Sequence, residues 1–564
     1  MRKLGDLWAL VEPWAKTLKR IEGTSGSGVA SYFRLLRTLL YLNLVVAVVF
    51  LVFIILPTAG KPATNQTFHV ADIFLGTGPL QDSILFYGAY TNTTSAFPWS
   101  GFDVPSGYFY AVFVSYLVYL ISLMVNMVSA VRKSFIDSAE IEGKKFGPAL
   151  FTSWEMTIED SISAKQLMNK ICMDLTKLLK RKRTRVPVTK SRLFLRSLTF
   201  VGVLAIFSAV GYLLYFLLQS GELDQKTFVW IVPAIISTLI FLLPWLLRTI
   251  NLVEGYGTRH NLYLRLAQTF LLATFVLTLL RVTHMLPSES TSEELLQTVC
   301  RETSFGQEMY RLIIFYFFFV VLLNFLADTI LSRLSKTPPQ FDISSNTTDL
   351  IYIQMAACFG ALYSPLLPLI TTCIFVLVFY IQLISLKLNF SESKKTWTTS
   401  TTRTVYLILT FLAIAIPFGF FFYFITMTKS NCGPFSSVSS PIDVTGLTSS
   451  MGNRSYVSYW IFSKGVWALI TVASAIFFYY RFGNCTKQSN TIYRFGKSTK
   501  NKNNKILSVA SYSSARATRK LGKELLRELQ GEVICLIKSI KSIKLIKGEV
   551  TCLIKFKKNI KLIK

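Results

Sequence analysis

Asn324 and Asp328 stand four residues apart inside a run that is otherwise apolar, RLIIFYFFFVVLLNFLADTIL, so a helix would carry both on one face. Polar groups at membrane depth are expensive, at about 2.5–3.5 kcal/mol for a charged residue near a helix centre, and so mark a site by default. Glu308 caps one end of this run and Arg333 follows the other. A second apolar run offers Asn261, Arg265, Gln268 and Thr269 at helical spacing, and in a third Gln354 follows Asp349 and Leu350. The chemistry these types can do is ion passage, since oxygen atoms facing an aqueous groove replace a cation's hydration and carboxylates raise its local concentration. A structural reading stands beside it. Asp328 could pair with Arg265 or Arg333 to hold a bundle together, and terminal charges could snorkel to the surface.

Catalysis finds no comparable support. His69, His260 and His284 fall in three different loops, and the chain has no HExxH, paired CxxC, GxxxxGK or GxSxG. No enzyme activity, metal site or cofactor is expected, and each histidine reads as a solvated or interfacial residue.

The elements that must position these residues are membrane spans. Of 564 residues, 52% are hydrophobic and 14% aromatic, more than a soluble surface tolerates. Apolar runs of the roughly 20 residues that cross a bilayer start near Leu36, Tyr108, Ser197, Phe228, Asn261, Tyr310, Leu350, Leu366, Thr404 and Trp460. An all-α polytopic protein of ten transmembrane helices is therefore expected. YSPLLP (Tyr363 to Pro368) either separates the seventh span from the eighth or kinks one long helix.

Charge orients the spans. Sixty Lys and Arg against thirty Asp and Glu leave a net +30, concentrated before residue 36, between Arg132 and Arg196 and after Arg481. These segments are assigned to the cytosol by the positive-inside rule, which puts both termini inside. Anionic lipid, not nucleic acid, is the partner that basic segments beside spans imply. The organisation expected is a cytosolic amphipathic segment over 1–35, a membrane domain over 36–480, and a basic low-complexity tail over 481–564. Within the membrane domain, 131–196 is a cytosolic loop and 283–309 an external one. MRKLGDLWALVEPWAK is too polar for the core of a cleavable signal peptide.

Topology sorts the remaining signals. The sequons at Asn65, Asn92 and Asn453 fall outside and could carry glycans, whereas Asn346 and Asn484 should not. Cys300 and Cys432 are the two of eight cysteines in external loops, where an oxidising compartment invites a bridge, with two free thiols as the alternative. In the cytosolic loop, Leu167, Met168, Ile171, Cys172, Leu175, Leu178 and Leu179 form one apolar stripe opposite lysines. That amphipathic helix could lie on the inner leaflet or fit the groove of an EF-hand protein. The tail carries GEVICLIK at Gly531 and GEVTCLIK at Gly548, a basic repeat that would adhere to anionic membrane.

Several stretches together carry a family resemblance. CRETSFGQEMY (Cys300 to Tyr310) resembles the signature of the transmembrane channel-like (TMC) family, close to CWETxVGQExY, through Cys300, Glu302, Thr303, Gly306, Gln307 and Glu308, with Arg301 in place of tryptophan. GSGVASYFRLLRTLLYLN, GPLQDSILFYGAYTN, FTSWEMTIED, FDISSNTTDLIYIQ, YSPLLP and NCGPF follow the family's order from Gly26 towards Tyr480. The resemblance implies an anoctamin-like architecture, a homodimer with one permeation path per protomer lined by spans four to seven, and mechanosensitive cation conduction at the plasma membrane. It also implies acidic pathway positions at Glu308, Asp328 and Asp342, with Glu254 a weaker match, and docking of a calcium- and integrin-binding (EF-hand) protein on the cytosolic loop. Two other classes remain open: a phospholipid scramblase, whose lipid groove could use the same polar stripe, and a non-conducting scaffold.

Overall fold

The computed structural model describes residues 14–25, 27–58, 69–90, 94–95, 102–143, 190–219, 225–253, 258–285, 300–334, 341–390, 399–427, 430, 432–436, 438 and 440–442. Helices dominate. A short α1 (Ala15–Ser25) leads to α2 (Ser27–Phe50), which runs on through a π-turn to Thr58. After the small loop helix α3 (Val70–Leu75) come α4 (Val104–Gly143), α5 (Lys190–Gln219), α6 (Gln225–Val253) and α7 (Thr258–Met285). Next, α8 (Arg301–Phe315) passes through a π-helical stretch, Tyr316–Leu322, into α9 (Leu323–Leu334). The last helices are α10 (Ile343–Ala361), α11 (Leu367–Asn389) and α12 (Thr399–Met427). The strands among the described residues are two-residue β1 (Thr94–Ser95) and β2 (Phe102–Asp103), paired antiparallel.

Among the described residues, seven helical segments are long and apolar enough to cross a membrane: Gly28–Thr58, Val104–Arg132, Arg196–Leu217, Asn261–His284, Arg301–Leu334, Leu367–Asn389 and Arg403–Thr426. A shorter apolar stretch, Val229–Pro244, lies in α6, contains Pro233 and ends on the helix's second proline. The chain does break at YSPLLP: Tyr363 and Ser364 donate backbone N–H bonds back to Gly360 O, and Pro368 sits in the first turn of α11, where its missing N–H costs nothing. The run near Trp460, the sequons at Asn65, Asn92, Asn453 and Asn484, the stripe from Leu167 to Leu179, Glu254 and the tail lie outside the described residues, whereas Asn346 lies in α10.

Packing explains the residue choice. From Leu350 to Ala361 every α10 side chain is buried, so this helix is apolar all round and the others surround it. Outward faces instead expose large apolar side chains, among them Val45 and Val48 of α2, Phe200 and Tyr212 of α5 and Leu326 and Ile330 of α9, as a lipid-facing surface requires. On α4 and α12, Phe109, Phe113 and Tyr116 stack and edge against Phe418, Phe421 and Phe422, with centroids 5.4–6.4 Å apart across the pair. Helix α1 buries Leu18 and Ile21 in the core, and Trp14 before it stacks on Phe379 of α11 at 4.0 Å.

Candidate functional site

The signature residues are helical. Cys300 is the N-cap of α8, and Glu302 stands in its first turn, where a carboxylate complements the helix dipole. The expected external loop over 283–309 is thus shorter at both ends, because α7 runs to Met285 and α8 starts at Arg301.

One face of α8 grips the end of α3. Gln307 Nε2 donates to Gly76 O at 2.9 Å, Arg311 Nε to Leu75 O at 2.6 Å, and the Tyr310 hydroxyl to Ile73 O. Those carbonyls belong to a helix terminus, where intrahelical partners run out. Gly76 makes the turn possible with φ +64°. Arg311 also pairs with Glu308 at 2.8 Å, both side chains being about 95% buried. Gly306 explains itself by contact, since a Cβ there would lie 2.6 Å from Tyr363 O in the α10–α11 turn. The same turn accepts Tyr87 N–H at 2.9 Å, and its Ser364 donates to Leu85 O at 2.8 Å. Thr303 Oγ1 accepts Gly88 N–H at 2.9 Å. Cys300 is joined to Cys432 in a disulfide, Cα–Cα 5.8 Å, with the Glu302 carboxylate 3.4 Å from Cys432 Sγ. Burial pushes the Tyr87 and Tyr90 phenols above their ordinary pKa, so they stay neutral and donate, Tyr90 to Ile84 O at 2.6 Å. Together these contacts clamp the segment 69–90 onto α8 and the α10–α11 turn.

Away from the clamp, a narrow cleft opens between α6, α7, the π-helical stretch and α10. Its wall on α7 is Arg265, Thr269, Leu272 and Ala273, and on α10 Ser345, Thr348, Asp349 and Tyr352. Each set follows helical i, i+3 or i+4, i+7 spacing and so occupies one face. Tyr316 opens the π stretch and donates to Asp349 Oδ1 at 2.7 Å, while its ring lies 4.5 Å from that of Tyr352. Thr269 and Thr348 hydroxyls meet across the cleft at 3.3 Å. Next to it, Asp342 caps α10 by accepting Ser344 N–H at 3.2 Å and pairs through its other oxygen with Arg265 at 3.1 Å. That pair is only partly buried. Asp328 of α9 is half-buried and has no ion pair among the described residues. Asn324 is half-buried one turn before it.

The residues proposed from sequence therefore divide. Arg265 lies in the cleft wall, Asp342 at its edge and Asp328 beyond, and Arg265 takes Asp342, not Asp328, as its partner. Glu308, expected at an aqueous mouth, is instead buried against Arg311. Gln354 is fully buried on the far side of α10, where its Oε1 accepts from Asn43 Nδ2 at 2.6 Å and Tyr119 donates to the same asparagine at 2.8 Å. The reason is angular: five residues beyond Asp349 amounts to about 140° around a helix of 3.6 residues per turn. Gln268 is half-buried and absent from the cleft wall. Asp349, Tyr316, Thr348 and Arg311 were not singled out from sequence. Asp349 could have been, as a charge opening an apolar run, and Arg311 as the cation one turn after Glu308.

Apolar outward faces, seven candidate spans and a polar cleft among buried helices define an all-α polytopic membrane protein. Residues 300–400, which hold the signature, α8 to α11 and the residues of α10 that line the cleft, match the family described as "TMC domain". Human transmembrane channel-like protein 5 is 29% identical over 419 residues, covering 70% of this chain and 40% of that protein. The mouse protein named voltage-gated chloride channel TMC4 is 28% identical over 458 residues, 70% of this chain and 65% of that one. Human transmembrane channel-like protein 6 is 27% identical, with 52% of its length covered. Over 70% of its length the chain is thus similar to transmembrane channel-like proteins, and its residues 300–400 match their shared domain. It spans about two fifths of the length of the transmembrane channel-like 5 proteins it matches.

Proposed function

We propose that the protein is an ion channel of the TMC type whose path runs along the cleft between α6, α7, α8–α9 and α10, past Arg265, Asp349 and Asp342 to Asp328. The observation that carries this reading is the cleft itself: α7, the π-helical stretch and α10 bring hydroxyl and charged groups to one cleft, closed by Ile240 and Pro244 of α6, while outer faces of the bundle stay apolar. Polar groups grouped in this way make an aqueous route cheaper than hydrocarbon. Cation conduction follows from the carboxylates of Asp328, Asp342 and Asp349, which outnumber the single guanidinium of Arg265. Opening under membrane tension rests on the family resemblance. The same reading takes ten spans in an anoctamin-like arrangement, a homodimer at the plasma membrane with cytosolic termini, external glycans, and an EF-hand partner on the loop before α5.

A second reading is anion conduction. It is favoured by Arg265 in the cleft wall and by the name of the mouse relative.

The test is stretch-evoked current from the purified protein in liposomes under a salt gradient, wild type against Asp328→Asn. A reversal potential on the cation side that shifts, with calcium permeability lost, in Asp328→Asn supports the cation path. A reversal on the chloride side selects the second reading, and lipid exchange without current would replace both by a scramblase.

A further inference from the structure

A second, open pocket shares no lining residue with the cleft; it lies between α2, α4 and α12 and is walled in part by Ser31, Arg34, Thr38, Asn126, Arg403 and Tyr406. Its charge is one-sided. Arg34 pairs with Glu22 at 2.5 Å, but Arg403, which lines the same pocket, has no ion pair among the described residues. A half-buried arginine beside a second guanidinium group gains from an anion that joins the two. Arginine offers five N–H donors in a planar fork that suits phosphate oxygens, and Glu22 occupies only one N–H group of Arg34. Asn126 Nδ2 donates one bond, to Ser122 O, and keeps a second hydrogen for another acceptor.

The cavity's position says what carries the anion. Arg403 is the first residue of one candidate span, and Ser31, Arg34 and Thr38 lie in the first turns of another, so the site sits where hydrocarbon gives way to headgroups. Helix α1, tied to the same place by Glu22, turns Leu18 and Ile21 inward and leaves Lys16, Lys19 and Arg20 exposed. Such a basic face draws anionic lipid to the site. We infer that this cavity binds the phosphate group of an anionic lipid headgroup, held by Arg403 and Arg34 with Asn126 beside them. This goes beyond the proposed channel, since the site shares no residue with the cleft and would exist in a protein that conducts nothing.

The test uses the full chain in nanodiscs, with thermal stability and native mass spectrometry as readouts, in phosphatidylcholine alone and with a phosphatidylinositol bisphosphate added. Wild type should gain stability and retain the added lipid. Arg403→Gln should weaken that retention by about tenfold, the worth of one charge-assisted hydrogen bond. In phosphatidylcholine alone Arg403→Gln should be as stable as wild type or more so, because a repulsion has been removed; a variant that merely misfolds would fall in both lipids. Arg333→Gln, an exposed arginine outside the cavity, should behave as wild type. Inositol trisphosphate and inorganic phosphate form the soluble arm: lipid retained in preference to both supports a headgroup, while equal binding of the soluble compounds assigns the same phosphate site to a soluble source. Equal lipid retention by wild type and Arg403→Gln overturns the proposal.

Discussion

The clamp around Cys300 to Arg311 and the cleft around Arg265 and Asp349 are both built of polar residues on helices that share one bundle, yet they use those residues in opposite ways. In the clamp, the ion pair is buried, side-chain donors reach backbone carbonyls, and a disulfide and a close glycine contact fix the geometry. In the cleft, the ion pair is partly exposed, hydroxyls bond to one another and to carbonyls of their own helices along an open wall, and the wall helix departs from α-geometry at Tyr316–Leu322. π-Helical stretches occur often at functional sites. Buried contacts between segments make a fixed structure, and a polar wall around an open cleft makes a place where something can pass.

The contrast is most easily broken at Arg311. Arg311→Ala leaves Glu308 buried without its partner and frees Leu75 O, so a loss of about 3–5 kcal/mol is expected, read as a fall in thermal stability and in the monodisperse fraction after extraction. Cys432→Ser should cost less, about 2–4 kcal/mol, with reductant lowering the wild-type melting temperature to match and leaving the variant unchanged. Gly306→Ala comes third. Its new methyl would strike Tyr363 O, an overpacking cost of about 1–3 kcal/mol by the same melting measurement, with ion selectivity unaltered in the molecules that remain folded.

Much of this division was legible in the sequence, and the part that was not has a physical cause. Apolar runs mark spans because hydrocarbon allows little else, and the starts near Leu36, Tyr108, Ser197, Asn261, Tyr310, Leu366 and Thr404 correspond to the seven candidate spans, whereas those near Phe228 and Leu350 fall in helices outside that set. Proline placed the break at YSPLLP. What sequence could not separate was a charge facing a cleft from a charge facing a partner. Glu308 and Asp328 read alike along one run, yet an arginine three residues from Glu308 turns it into an internal ion pair, while Asp328 has none. Gln354 misled for a related reason, because polarity in an apolar helix identifies a polar contact but not its direction. Asn43, Gln354's partner, is 311 positions away in the chain.

Thiol accessibility during conduction tests the central claim most directly, with Thr348→Cys on the cleft wall compared with Gln354→Cys on the far face of the same helix. A charged, water-soluble thiol reagent should block current through Thr348→Cys and spare Gln354→Cys and the wild type, whose own cysteines supply the background. Block of Gln354→Cys with Thr348→Cys untouched would contradict the account and move the path to the other side of α10.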